Sequence, residues 1–537
     1  MKEQFRHIEL FAGCGGMSLG LEAAGFELYM ANELSPMASE TFAYNILGED
    51  ISLENSSLPK KVLWIRSNFK LEERKERLRE NPFTYNKGQN SDLKDLKSLE
   101  GKLLVGSIDH LLEHLREDKS LSKDLKNLDI DLISGGPPCQ GFSLAGKRIK
   151  DDHKNKLPLS FAQFAGIVKP KIVLLENVKG ITAPFTDEDG QTYFAWLEVA
   201  KAFALEGYIP ICMMLNSKYF GVPQNRPRFI YLGIRKDVFE TYEKQVEKGE
   251  LKKILENSRY FYKTVKENKG NLNIITTKDL NLYDIETRKE LFDGNLLPKI
   301  STDIGSFVSA KQAIDDIKTL NTTYYLKDFK SGYAKSLNKT FPSKIGSKDD
   351  SLKNHDHRKH TYLVQARFRL YQILTDLNGY KKDALHVISG KDKSESGIQK
   401  TYEIISGYKL FLKNGNEGKL EYINNPDVFK NYISQFNTRK HSQRALIDDD
   451  PAPAQLTIPD DVCHYHEEQL RTVTVREMAR IQSFPDWFVF RSKVTTGGNQ
   501  RSFEVPQYTQ VGNAVPPLLA LALGKTVSNI LTKVKNG

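Results

Sequence analysis

The sequence predicts an α/β fold: a Rossmann-like domain built on a mostly parallel sheet, accompanied by a second, smaller domain. Three observations carry this. Short apolar runs (His7 to Phe11, Ile130 to Ile133, Ile172 to Leu175) each break off into glycine, proline or acidic residues, as buried parallel strands do at their carboxyl ends. The first run is followed by a glycine-rich loop, a helix-like stretch (Met17 to Ala24), a second strand (Phe26 to Ala31) and then Asn32-Glu33. That order is the first half of a nucleotide site, in which glycines let backbone approach the ligand and the acid accepts hydrogen bonds from ribose. Finally, 537 residues exceed what one hydrophobic core usually organises, so at least two domains are expected.

Composition bounds the function class. No run of eighteen apolar residues occurs, and the first residues lead directly into a strand, so neither a membrane span nor a signal peptide is expected and the chain reads as cytoplasmic. Cys14, Cys139, Cys212 and Cys463 are scattered without a CxxC pair, which suits a reducing compartment and argues against a structural zinc site. The balance of 78 Lys and Arg against 68 Asp and Glu gives +10, compatible with a polyanionic partner.

Chemistry concentrates at Gly135-Gly-Pro-Pro-Cys139-Gln140-Gly-Phe-Ser143, the turn that ends the Ile130 strand. Two prolines stiffen the backbone and the flanking glycines permit close approach, so a thiol is presented from a narrow, rigid loop. Buried structural cysteines usually sit inside strands or helices, and Cys139 therefore reads as a nucleophile. Glu176-Asn177 ends the Ile172 strand at the same sheet edge, where a carboxylate can converge on the thiol. Gln224, Arg226 and Arg228 alternate just before another strand, and period two places them on one face.

Gly-Pro-Pro-Cys139-Gln, Glu176-Asn177-Val and Gln224-Asn-Arg-Pro-Arg228, read together with the glycine loop, resemble the DNA cytosine C5 methyltransferases that use S-adenosylmethionine. The resemblance covers roughly residues 5 to 235 and 470 to 530. It implies a methyltransferase domain with a target-recognition domain: catalysis over 1–236 with an insertion at about 51–100, target recognition over 237–500, and a segment, 501–537, that returns to the catalytic domain. It further implies Cys139, Glu176, Asn177, Arg226 and Arg228 as catalytic residues. Cofactor contacts are implied at Phe11, Ala12, Gly13, Gly15, Gly16, Glu33, Ser107, Ile108, Pro138, Leu157, Asn513 and Val515. DNA contacts are implied at Gln140, Ser143, Lys147, Arg148 and Gln224. Ser107 departs from the family pattern, which has an aspartate there for the adenine amino group; Asp109 could substitute.

Several stretches are weighed on their own residues. Lys70 to Arg79 reads as a solvated, charge-paired helix. Leu144 to Leu157 reads as a basic mobile loop, with a weak helix after it. Asn354-His-Asp-His-Arg-Lys-His360 reads as solvated or phosphate-facing rather than as a metal cluster, as do Cys463, His464 and His466; no metal is expected. Asn437 to Arg444 is a second basic candidate for DNA, while Ser389 to Gly397 and Lys413 to Gly418 read as polar loops. Thr474-Val-Arg-Glu477 is a capping box that opens a helix.

The expected partner is double-stranded DNA, acted on by a monomer, and the Lys- and Asn-rich composition suits a bacterial restriction-modification role with a separate cognate endonuclease. The tRNA-methylating branch of the same family, a catalytically silent DNA-recognition protein and a nicotinamide dehydrogenase are the competing readings. The long span after Arg235 favours duplex DNA over tRNA. The intact Cys139, Glu176 and Arg228 speak against a silent protein, and a poor dinucleotide fingerprint speaks against the dehydrogenase.

Overall fold

In the computed structural model, residues 4–53, 61–93, 98–138, 153–186, 192–303, 305–319, 330–344, 351–377, 379–415, 417–436, 444–454 and 462–537 are described. Cys139, Gln140, Ser143, Lys147 and Arg148 lie outside them, as do most of the 144–157 stretch and residues 437–443.

Nine strands form one sheet: β1 (Phe5–Leu10), β2 (Phe26–Glu33), β3 (Val62–Trp64), β4 (Lys102–Val105), β5 (Leu132–Gly135), β6 (Ile172–Val178), β7 (Tyr208–Asn216), β8 (Pro227–Arg235) and β9 (Leu282–Asp284). Their spatial order is β9-β7-β8-β6-β5-β1-β2-β4-β3. Pairing is parallel throughout except around β8, which runs antiparallel to both β6 and β7. Apolar residues alternate between faces as period two requires: Val173 and Leu175 enter one core, Ile172 and Leu174 the other. Helices α2 (Ile108–Glu117), α3 (His153–Val168) and α4 (Ala195–Leu205) cover the first face. Helix α1 (Gly16–Ala23), part of α5 (Glu250–Glu267) and the C-terminal α8 (Pro517–Asn536) cover the second. This is the doubly wound arrangement expected.

The sheet body reaches well past residue 236, where the sequence reading ended the catalytic domain. Val238, Phe239, Tyr242, Ile254 and Leu255 pack in the second core, and β9 extends the sheet beside β7. A three-residue edge strand is too short to announce itself by periodicity. Helix α8 lies against α1, and a side chain at Gly20 would run into the Pro517 carbonyl. That close approach is what a glycine at position 20 permits.

Two further cores follow. One joins residues from 310 to 341 with residues from 446 to 511 and reaches Cys14 and Leu19 beside α1. At its centre is α6 (Val475–Ile481), every residue of which is buried. Its N-terminus is the expected capping box, in which Thr474 accepts from the Glu477 N–H while the Glu477 carboxylate accepts from the Thr474 N–H at 2.7 Å. The other core is an outer lobe of helices between 362 and 436. The stretch Lys413 to Gly418 is the tip of a hairpin there, Leu410–Asn414 against Glu417–Glu421, rather than a loop.

Other expectations shift for physical reasons. The charged 70–79 stretch is helical only over Arg74–Arg79, and it is not fully solvated. Arg77 is buried, donates from both terminal nitrogens to Asp92 (2.7 and 3.2 Å) and lies over Trp64. Helix α3 begins at His153, earlier than expected, and carries Pro158 inside it. The His355 ring is not phosphate-facing: it bridges Thr474 Oγ1 (2.9 Å) and the Ile317 carbonyl (2.7 Å), tying residue 355 to the capping box. His464 and Cys463 are wholly inside, and the Gln372 amide donates to the carbonyls of His464 and His466. Among the described residues no single helix is long and apolar enough to cross a membrane.

Candidate active site

Phe11, Glu33, Ser107, Pro138 and Glu176 lie along the carboxyl edge of the parallel strands, where an open α/β sheet offers its crevice. At the end of β1, Phe11 has φ +54, a left-handed conformation that costs a residue with a side chain on the order of 1–3 kcal/mol and turns the chain sharply into the glycine loop. Gly13 follows at φ +55 with open space where a side chain would stand. Its N–H donates to Glu33 Oε2 at 2.8 Å, and the Ser35 N–H donates to Oε1 at 2.8 Å. Each Glu33 oxygen therefore keeps acceptor capacity beyond the bond that positions it. Burial pushes the Glu33 carboxyl up while those N–H groups pull it down, and the net direction is upward. Ala12 is buried, its N–H donating to the Asn32 carbonyl, and Gly15 closes the turn onto Ala12.

The next wall comes from β4 and α3. Ser107 is the N-cap of α2, its hydroxyl accepting from the Asp109 N–H at 3.2 Å. The Asp109 carboxylate accepts from the Ser160 hydroxyl at 2.6 Å, so it is already anchored to α3. Ile108 and Leu157 lie in the first core beside Phe161, against which the Phe11 ring sits at 6.3 Å.

The chemical end is assembled from β5, β6 and β8. Glu176 Oε1 accepts from Arg228 Nε at 2.8 Å, with both side chains about nine-tenths buried. Burial lowers the Arg228 pKa and the Glu176 charge opposes that fall. A side chain at Gly136 would reach 3.2 Å from Glu176 Oε2, so the backbone that leads into Pro137 and Pro138 passes directly over this carboxylate. The Asn177 amide donates to the Pro137 carbonyl at 3.0 Å, fixing the 135–138 stretch to β6. Adjacent side chains in a strand face opposite ways, which is why 176 and 177 divide the tasks.

Arg226, two residues before Arg228, reaches across to a distant segment. Its Nη2 donates to the carbonyls of Gly512 (2.8 Å) and Ala514 (3.1 Å), and its Nη1 faces Gln224 Oε1 at 3.4 Å. Gln224 is fully buried beside it, so it reaches the site through Arg226 rather than as an exposed DNA contact. The last piece is the strap after α7 (Gln507–Asn513). Asn513 is exposed at its end and Val515 is buried; a side chain at Gly16 would come within 2.4 Å of the Val515 carbonyl.

Reading the sequence missed two anchors of this strap. Gln510 accepts from the Thr41 hydroxyl at 2.6 Å and donates to the carbonyls of Met37 and Val505, and Asn216 accepts from the Arg226 N–H at 2.9 Å. The one available signal was a polar Gln within an otherwise buried turn of helix. Among the described residues no three His, Cys, Asp or Glu side chains group as a metal site.

Comparison with known proteins places this geometry. The C-5 cytosine-specific DNA methylase model matches residues 5–63 and 109–529, and the break between them overlaps the expected insertion. The type II methyltransferase M.DdeI of Desulfomicrobium norvegicum is 25% identical over 97% of this chain and 88% of its own length. M1.HphI of Haemophilus parahaemolyticus is 26% identical over 98% and 87%. In fold, the chain resembles a crystal structure described as a prophage-encoded DNA modification methyltransferase from E. coli, with a TM-score of 0.52 and 18% identity, covering 98% of this chain and all of that one. The chain thus belongs to the C-5 cytosine-specific DNA methylase family and is a DNA (cytosine-5-)-methyltransferase.

Proposed function

We propose that this enzyme methylates cytosine in a specific duplex DNA sequence through a covalent adduct with Cys139, on a base turned out of the stack. The observation that carries the reading is the approach of the Gly136 backbone to Glu176 Oε2, with Arg228 on the other carboxylate oxygen. It roots the loop that bears Cys139 over a buried acid. Cytosine C5 is a weak nucleophile, and a thiolate adding at C6 makes it an enamine that can attack an electrophilic methyl group.

In this reading the Cys139 sulfur forms a bond to C6 as Glu176, protonated once the base is bound, gives a proton to N3. Arg228 then faces the ring oxygen and the charge that develops on it. Loss of the C5 proton to a base breaks the C6–S bond and releases the Cys139 thiolate, and N3 returns its proton to Glu176, which restores the neutral ring. A stacked base is out of the thiol's reach, so the target must leave the helix. Asn177 contributes by holding the loop root.

S-adenosylmethionine, when bound, supplies the methyl group as a sulfonium electrophile. The residues present fit it: an open cradle at Gly13, a carboxylate at Glu33 with acceptor sites left for a ribose diol, and the apolar Phe11, Ile108 and Leu157 for an adenine face. The serine at 107 is committed to capping α2, and Asp109 to Ser160, so an adenine amino group would have to share one of these acceptors. The type II methyltransferases among its relatives support a restriction-modification role, with the endonuclease a separate protein. We take the enzyme to act as a monomer, with 437–444 and the outer lobe contributing to DNA recognition.

The test is transfer of labelled methyl groups to duplex DNA and to tRNA by the wild type and by Cys139→Ala, followed by bisulfite sequencing of DNA from expressing cells. Transfer to DNA at one sequence motif, absent in Cys139→Ala, is expected. Transfer that persists in the variant, or that goes to tRNA alone, would overturn the reading.

A further inference from the structure

We infer that Arg226 is a positioning residue that couples the two ends of the site, holding the strap that bears Asn513 and Val515 to the strand that bears Arg228. The naming of a cofactor end and a cytosine end rests on the function proposed above; the clasp itself is geometry.

Helix α7 ends at Asn513 and no regular structure follows before α8, so the carbonyls on either side of Asn513 need partners from elsewhere. Arg226 supplies them: one nitrogen, Nη2, donates to the two carbonyls that flank Asn513, at 2.8 and 3.1 Å. A fully buried guanidinium spanning positions some 290 residues apart in sequence has few ways to move without breaking both bonds. Its backbone is equally fixed, because the Arg226 N–H donates to Asn216 Oδ1 and its carbonyl accepts from the Ser217 N–H at 3.1 Å. Two residues on, Arg228 holds Glu176. The strap meets the cofactor side through Val515, whose carbonyl abuts Gly16 at the start of α1.

The electrostatics run the same way. Burial and the neighbouring Arg228 both work against the Arg226 charge, and Glu176 favours it. Two guanidinium groups thus draw on one carboxylate, and the strap carbonyls supply the remaining negative potential for Arg226. Ordering the strap therefore steadies Arg226, and a steady Arg226 keeps Arg228 on Glu176. Ligand binding at one end lowers the cost of order at the other, which is coupling through shared rigidity.

Hydrogen exchange by mass spectrometry on the full chain tests this, with S-adenosylhomocysteine as the probe and no DNA. In the wild type the probe should slow exchange both in 511–516 and in 222–228; protection of 511–516 alone would overturn the coupling. In Arg226→Lys, which can keep one of the two strap bonds, exchange over 511–516 should rise without any ligand. The Kd for the probe should also weaken about tenfold, within the usual span of coupling between sites. A variant with wild-type exchange and wild-type Kd would overturn the inference, since a brace that only stabilised the fold would lower the melting temperature and leave both readouts alone. Failure of the wild type to bind the probe would count against the proposed function instead, and the ligand-free exchange of Arg226→Lys would still decide the clasp.

Discussion

Two buried glutamates in this molecule each face an arginine, and the contrast in how they are bonded separates a site from a brace. Glu477 in α6 is held on both oxygens: Arg471 donates to each of them (2.7 and 2.8 Å), and the Thr474 N–H takes a further position. Burial resists its charge, yet the Arg471 guanidinium and its hydrogen bonds hold the carboxyl well below the usual range. Among the described residues Glu176 is held by a single side-chain bond, from Arg228 Nε, and its second oxygen faces the Gly136 backbone. A carboxylate bound on both oxygens by one guanidinium cannot take a proton without breaking that pair. One with an oxygen turned to a ligand loop can.

That difference sorts the expected effects of mutation. Glu176→Gln should lower the rate of methyl transfer by about 10²- to 10⁴-fold, the usual worth of a positioned proton donor, and should also lower the melting temperature, because Arg228 stays buried without its counter-charge. Equal turnover in the variant would move the acid elsewhere. Glu477→Gln should cost stability alone. It leaves the Arg471 charge buried without its counter-charge, a loss on the order of 3–5 kcal/mol, while turnover per folded molecule persists. Urea denaturation against single-turnover kinetics separates the two, and a Glu477→Gln protein of wild-type stability would sink the comparison.

Acid should weaken the brace before it reaches the usual carboxylate range. Burial pulls His464, beside Glu477, down to about 3, and His7 in β1 likewise to about 3. Each is therefore neutral when folded, whereas the unfolded chain binds the proton below about 6.5. On these two rings the unfolded state holds more protons between those values, so their contribution to stability is complete above about pH 6.5 and declines as pH falls. The depressed Glu477 adds to the loss below about pH 4.5 in the same direction. The difference in melting temperature between wild type and His464→Asn should therefore change between pH 7 and pH 5 and stay level from pH 7 to pH 8; a difference that does not vary with pH would contradict this. The smallest effect is expected at Gly13→Ala. The position has room for a methyl group but a left-handed backbone, so about 1 kcal/mol of strain should appear chiefly as a raised KM for S-adenosylmethionine. An unchanged KM would place the cofactor elsewhere.

The same contrast marks what could be read from sequence. The strand ends at Phe11, Glu33, Gly135 and Glu176, and the capping box at Thr474, announce themselves because glycine, proline and capping residues act on their own backbone. The partners of Arg226, Arg77 and Asn177 did not, because each lies on a different segment, and periodicity carries no information about which distant carbonyl a buried guanidinium will meet. Asn177 was legible as belonging to the site and illegible as to its task. The edge strand β9 and the reach of the sheet body past 236 were hidden for the same reason: three residues form no pattern until a neighbouring strand pairs with them.

The central claim is that the loop rooted over Glu176 delivers the nucleophile. Incubating the enzyme with S-adenosylmethionine and duplex DNA carrying 5-fluorocytosine at the target position, then mapping the cross-linked peptide, tests it most directly. A stable adduct on Cys139, slowed in Glu176→Gln, is the predicted result; an adduct on any other residue, or turnover with no adduct at all, would contradict it.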